Sequence, residues 1–320
     1  MYQTALETRQ LGGTDLKITR VGFGAWALGG GDWEHGWGPQ DDDESIAAIL
    51  HGLEQGINWI DTAAAYGFGH SEQVVGRALQ GLRERPYLFT KCSLLEGPHR
   101  AVVHSLKRDS ILHEAADSLE RLGVDAIDLY QIHWPIPATE IEEGWAALAE
   151  LKEQGLVRHI GVSNFDAEQL RKIQEIAPVE TLQPQYSLIE RGVEEEVLPL
   201  AREQRIGVIA YSPMGSGMLT GAMTRERVAR LPEDDWRKHD ARFNEPLLSR
   251  NLDLVARLDA VADRYETSPG AVAVAWTLRN PAVDGAIVGF RRPDQVDPIL
   301  AAASLALTDE DVSEIEGHVR

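Results

Sequence analysis

The strongest constraint on this chain is a repeat: eight short, β-rich apolar runs alternate with longer amphipathic stretches along 320 residues. The runs are VGFGAWA (21–27), NWIDTA (58–63), YLFTKC (87–92), IDLYQIH (127–133), HIGVSN (159–164), ETLQPQY (180–186), GVIAYSP (207–213) and GAIVGF (285–290). Between them, 43–56, 71–81, 108–123, 142–155, 167–177 and 194–205 carry apolar residues at helical spacing. Alternating strands and helices build a parallel sheet from βα units. Eight units fit an α/β fold of the closed (β/α)8 TIM-barrel type better than an open doubly wound sheet. The G-x-G-x-x-G that often follows the first strand of such a sheet is absent.

Local signals agree with the repeat. Helical stretches close on Gly56, Gly81, Gly123 and Gly155, which suit left-handed C-caps, and Ser71 and Asp166 stand where N-caps belong. Residues 8–22 read as two short strands around Gly12-Gly13, an N-terminal hairpin placed to plug the barrel floor. The long interval before the eighth run holds a polar stretch (224–250) and two helical patterns (251–266 and 268–280), and 307–319 reads as a capped terminal helix. These are the extra helices near the C-terminus. With no linker or low-complexity segment, residues 1–320 are expected to form one domain.

Charge narrows the partners. With 31 Lys+Arg against 51 Asp+Glu the net charge is −20, a surface that repels phosphate backbones and anionic headgroups, so neither nucleic acid nor membrane is an expected partner. The single cysteine, Cys92, cannot form an internal disulfide, MYQTALETRQ lacks a leader's apolar stretch, and no apolar run approaches the roughly 18 residues of a membrane span. A cytoplasmic protein is expected. No metal is expected either: H-E-x-x-H and paired-cysteine spacings are missing, HEAAD (113–117) does not substitute, and His99 and His104 have no evident third ligand. Oligomeric state is not legible.

In such a barrel the working residues end the strands. Asp61 ends the second run, Tyr66 follows it, Lys91 ends the third and His133 the fourth. Singly, each has a bland alternative: a turn cap, a rim aromatic, a solvated strand end, a satisfied core histidine. Together they form a proton-transfer set. A phenol of ordinary pKa about 10 is a poor acid at neutral pH unless a cation stabilises its anion. Lys91 can be that cation, Asp61 can hold Lys91, and His133 can hydrogen-bond a carbonyl oxygen.

These residues lie within motifs, DTAAAYGFGHSEQVVGRAL (61–79), LFTK (88–91), DLYQIHWP (128–135) and IGVSNF (160–165), whose order and content resemble the aldo-keto reductases essentially end to end. The branch related to potassium-channel β subunits is the most similar. The resemblance implies that Asp61, Tyr66, Lys91 and His133 are the catalytic tetrad of an NADP(H)-dependent enzyme, NAD being possible, with Tyr66 as proton donor. The substrate would be a small carbonyl compound or the corresponding alcohol. It also implies an alternative: a redox-sensing, cofactor-binding regulatory subunit with little turnover.

The resemblance extends along a cofactor track. Ser163, Asn164 and Gln183 match residues that hold the nicotinamide amide, and Tyr211 matches the aromatic that stacks on its ring. The small-residue run after Tyr211 lets backbone approach a pyrophosphate, implicating Ser212, Met214, Gly215, Ser216, Gly217 and Leu219. Gly289, Arg291, Arg292 and Gln295 follow the eighth strand near a helix start, where dipole and side chains favour a 2′-phosphate. One departure stands out: Pro298-Ile299 replaces a Glu-Asn pair that contacts adenine in many relatives. For the substrate pocket, Trp26 and Trp134 adjoin matched motifs, with Trp33 and Trp37 as further candidates. The loops 29–38 and 220–250 are candidate lids.

Overall fold

All eight runs become parallel strands of one barrel. The computed structural model describes residues 6–233 and 235–317, so the first five residues of the stretch read for a leader, residue 234 of the candidate lid and the end of the 307–319 pattern lie outside the described residues. Thr8–Gln10 (β1) and Lys17–Thr19 (β2) pair antiparallel. Val21–Gly24 (β3), Trp59–Asp61 (β4) and Tyr87–Cys92 (β5) follow, and then Leu94–Glu96 (β6) and Val102–His104 (β7) form a second hairpin. Ile127–Ile132 (β8), Val157–Ser163 (β9), Thr181–Gln183 (β10), Gly207–Tyr211 (β11) and Gly285–Gly289 (β12) complete the set. The barrel runs β3, β4, β5, β8, β9, β10, β11, β12 and closes where β12 pairs with β3, Ala286 beside Val21.

Helices cover the barrel: Asp42–Glu54 (α1), His70–Leu79 (α2), Arg108–Leu122 (α3), Ile141–Glu153 (α4), Ala167–Ile173 (α5) and Val197–Gln204 (α6). The interval before β12 holds Arg225–Ala229 (α7), Leu247–Arg264 (α8) and Pro269–Arg279 (α9); Asp297–Leu300 (α10) and Asp309–Glu316 (α11) follow that strand. Period-two alternation divides the core. Trp59, Phe89, Leu129, Ile209 and Ile287 point inward and meet Leu11, Leu16 and Ile18 of the first hairpin, which thus plugs the floor as expected. Their neighbours Ile60, Leu88, Tyr130, Val208 and Val288 point outward into the helical layer.

Two glycines make the plug possible. A Cβ on Gly22 would lie 2.1 Å from the Trp59 ring, and Gly12, at φ +51, would carry a Cβ 2.2 Å from the Gly207 nitrogen. Buried Asp284 then docks the hairpin, accepting the Gly12 and Val208 N–H groups at 3.0 and 3.2 Å and pairing with Arg9 at 3.0 Å.

Gly56, Gly81, Gly123 and Gly155 all take positive φ at helix ends, and Asp166 caps α5 in a reciprocal capping box with Gln169. Ser71 does not cap α2. That helix starts one residue earlier behind Gly69, and the buried Ser71 hydroxyl donates to the Ala25 carbonyl at 2.8 Å and bonds Thr62 at 2.9 Å. The sixth run is shorter than read, three residues, because Pro184 brings no N–H to the ladder. His104 lies on β7, and His99 lies in the turn that joins β6 to β7.

Candidate active site

The register of β4 on β5 pairs Asp61 with Phe89, so Asp61 and Lys91 both project into the barrel mouth above the plug. There Lys91 is wholly buried, and its Nζ donates to Asp61 Oδ1 at 2.6 Å, to the Thr62 carbonyl at 2.9 Å and to the Tyr66 hydroxyl at 3.3 Å. Gln183 Nε2 donates to the second Asp61 oxygen at 2.8 Å. Burial pushes Asp61 up and Lys91 down, and their short, fully hydrogen-bonded contact opposes both shifts. The His133 ring meets the Tyr66 ring edge-on at 5.7 Å between centroids.

Protonation states follow from burial. It drives Tyr66 well above the ordinary phenol range, with the Asp61 charge adding to the shift, so the phenol keeps its proton. The Lys91 cation therefore does not bring the resting phenol below its ordinary range: burial, and after it the Asp61 charge, prevail. Burial first, and Lys91 second, hold His133 far below the usual imidazole range, so it is neutral, and its Nδ1 is buried without a partner. The site thus combines a protonated phenol, a cation within hydrogen-bond reach and a neutral imidazole, which together can deliver a proton to an oxygen and stabilise what remains.

Aromatic rings wall this site. Trp26 stacks on Tyr66 at 6.2 Å and on Trp236 at 5.6 Å, Trp37 meets Trp26 and Trp236 edge-on, and Trp33 lies 6.4 Å from Tyr66. Trp134, the residue after His133, is 39% exposed and has no ring contact with this cluster among the described residues. Arg237 packs over the Trp37 ring while a bidentate pair with Asp235 holds it.

On the far side of the mouth the remaining sites converge. Asn164 Nδ2 donates to the His133 carbonyl at 2.9 Å and to Ser163 Oγ at 3.0 Å, Ser163 Oγ donates to the Gln183 carbonyl at 2.7 Å, and Tyr211 donates to Asn164 Oδ1 at 2.8 Å. After β11, Ser212, Gly215, Ser216 and Gly217 all take positive φ in a tight turn that uses the Gly215, Gly217 and Leu219 N–H groups internally. Met214 is partly buried against the core and Leu219 wholly buried, so any ligand contact of these two is through backbone.

Gly289 ends β12 exposed. Beyond it, Gln295 Oε1 accepts the Arg291 and Arg292 N–H groups at 2.7 and 3.2 Å, which makes Gln295 a cap of its own turn. Arg291 reaches across to Gln40 Oε1 and the Trp37 and Pro39 carbonyls at 2.5, 3.3 and 2.6 Å. Arg292 pairs with Asp294 at 3.0 Å.

The aldo/keto reductase family model matches residues 20–320. The chain belongs to the aldo/keto reductase family. It is 40% identical over 313 residues to aldo-keto reductase YhdN of Bacillus subtilis, covering 97% of this chain and 92% of that one. It is 36% identical to an NADH-specific methylglyoxal reductase of Escherichia coli, covering 95% of each. A solved structure of glycerol dehydrogenase AKR11B4 from Gluconobacter oxydans superposes with a TM-score of 0.89 at 37% identity, over 98% of this chain and 95% of that one.

As an aldo/keto reductase the chain needs a place for a nicotinamide dinucleotide, and its own residues fit one. Tyr211 presents an aromatic ring anchored on the Asn164 amide, and the chain after it runs through a turn of left-handed residues. Among the described residues no group of three or more metal-ligating side chains occurs, and no helix is long and apolar enough to cross a membrane. Two partners escaped the sequence: Gln183 as a ligand of Asp61, and Trp236 as the outer wall. An indole inside the polar 224–250 stretch was the signal for the second. The first had none, because β4 and β10 are not neighbours in the barrel.

Proposed function

We propose that this aldo/keto reductase is an NADP(H)-dependent enzyme that reduces a small aldehyde or ketone to its alcohol, or runs the reverse, with Tyr66 as general acid and base. The observation that carries the reading is Lys91 Nζ shared between Asp61 at 2.6 Å and the Tyr66 hydroxyl at 3.3 Å. Burial keeps Tyr66 loaded with its proton until a substrate oxygen gains charge. Lys91 then stabilises the phenolate left behind, while Asp61, fixed by Gln183, holds Lys91 in place. Neutral His133 orients the carbonyl oxygen by hydrogen bonding. The bound nicotinamide supplies the hydride.

Ser163, Asn164 and Gln183 would hold the nicotinamide amide, Tyr211 its ring, and Ser212, Met214 and Ser216 the pyrophosphate, the Gly215, Gly217 and Leu219 N–H groups being spent within the turn that shapes the cradle. Arg292, whose side chain is 51% exposed, is the cation best placed for a 2′-phosphate; Arg291 is engaged by the first loop. The Trp26 wall suits a compact substrate, in keeping with relatives that act on methylglyoxal and glycerol by name.

The test is a tryptophan-fluorescence titration with NADPH and NADH, followed by nicotinamide absorbance with methylglyoxal, glyceraldehyde and 4-nitrobenzaldehyde. Binding with turnover is the expected result. Binding without turnover would favour a regulatory subunit, and no binding of either cofactor would overturn the reading.

A further inference from the structure

Ser93 is where β5 leaves the barrel, two residues beyond Lys91. It is fully buried and takes φ +85, a left-handed conformation that costs a serine energy. Glu114 of α3, 5% exposed, holds it there: Oε2 accepts the Ser93 N–H at 2.9 Å, and Oε1 accepts the Ser110 hydroxyl at 3.2 Å. Ser93 in turn ties the adjacent strand end. Its Oγ accepts the Trp134 N–H at 3.4 Å, beside the bond from the His133 N–H to the Cys92 carbonyl at 3.1 Å. One buried carboxylate therefore stands behind the ends of both strands that carry Lys91 and His133, without touching the reacting groups.

We propose that Glu114 is a positioning residue for carbonyl reduction: its carboxylate fixes the Ser93 backbone, and through it Lys91 and His133, so that turnover falls when the carboxylate is protonated. The inference rests on the carbonyl-reductase reading of the site.

The surroundings place that protonation near neutrality. Burial raises Glu114 to about 7, against the Ser93 and Ser110 hydrogen bonds that lower it. From α2, Glu72 adds a like charge but is itself paired with Arg121 of α3 at 2.6 Å and accepts the Thr90 hydroxyl of β5 at 2.5 Å. The groups facing it from β5 and β8 are the Cys92 thiol and the Tyr130 phenol, both pushed far up by burial and so neutral. Lys107, before α3, is occupied by Glu140 and Glu143, and Arg108 pairs with Glu150 of α4 at the surface. Of the tetrad, burial moves His133 well below the ordinary imidazole range and Tyr66 well above the phenol range, while Asp61 and Lys91 share a buried 2.6 Å ion pair.

The test is the single-turnover rate of cofactor oxidation at saturating cofactor and carbonyl from about pH 6 to 8.5, for wild type, Glu114→Gln and Ser110→Ala. Wild type should lose about fivefold toward acid with a midpoint near 7, the net scale of one ordinary hydrogen bond. Glu114→Gln should sit near the acid plateau at every pH with unchanged cofactor affinity. Ser110→Ala removes a donor to the carboxylate and should move the midpoint upward, which decides the matter even if Glu114→Gln does not fold. An inflection that survives in Glu114→Gln, or a midpoint unmoved in Ser110→Ala, overturns this inference alone. Absence of turnover in the wild type overturns it together with the carbonyl-reductase reading.

Discussion

At the scale of single residues, burial decides chemistry. Tyr66 was legible in the loop after its strand and His133 at the end of another, but their protonation states come from the walls around them: a phenol raised and an imidazole lowered by the same loss of water. Removing the proton donor should therefore be nearly isosteric. Tyr66→Phe should lower carbonyl reduction by about a thousandfold and leave NADPH affinity within about twofold, read by steady-state rates and fluorescence titration. Equal losses in both would contradict the donor role. The two arginines separate in the same way. Sequence places them together, whereas the structure ties Arg291 to Gln40, Trp37 and Pro39 and leaves Arg292 with Asp294 of its own turn. Arg292→Ala should weaken NADPH about tenfold and NADH little, and equal loss for both cofactors would move the 2′-phosphate site elsewhere.

At the scale of elements, the loops over the mouth are held by contacts between segments far apart in the chain. The first loop is fastened to the turn after β12 by Arg291, and its Trp26 and Trp37 pack on Trp236 from the polar interval before α8. Arg291→Ala should release that fastening. Proteolysis within 30–41 should become several times faster and the carbonyl KM should rise, while barrel unfolding changes little; unchanged cleavage would show that the aromatic packing alone holds the loop. Helix ends were legible because capping is local: Asp166 and the four terminal glycines need only their own turns. The β6–β7 hairpin and the true role of Ser71 were not. The first turns about a short polar segment with no strand periodicity. The second depends on the Ala25 carbonyl, which another strand brings within reach.

At the scale of the whole molecule, a polar cluster on the barrel floor locks the plug to the wall. His159 of β9 bonds Glu180 at 2.9 Å and Asp15, in the turn of the first hairpin, at 2.6 Å. Burial opposes its charge, but these two carboxylates outweigh burial and raise it. A raised value means stability that is fully present below the unfolded imidazole's pKa of about 6.5 and lost as pH rises through the folded value. The melting temperature of wild type should thus exceed that of His159→Gln most at about pH 6, and the difference should shrink toward about pH 9; a difference constant with pH would remove the ion pairs from the explanation. Sequence alone determined the eight βα units, the plug, the barrel's closure and the four residues at its rim. These follow from periodicity, turn chemistry and strand order, which are properties of neighbouring residues. Only tertiary structure decided that Gln183 steadies Asp61, that Trp236 walls the site and that Arg291 serves a loop. Each is a contact between distant segments, set by register and packing, and no local pattern encodes it.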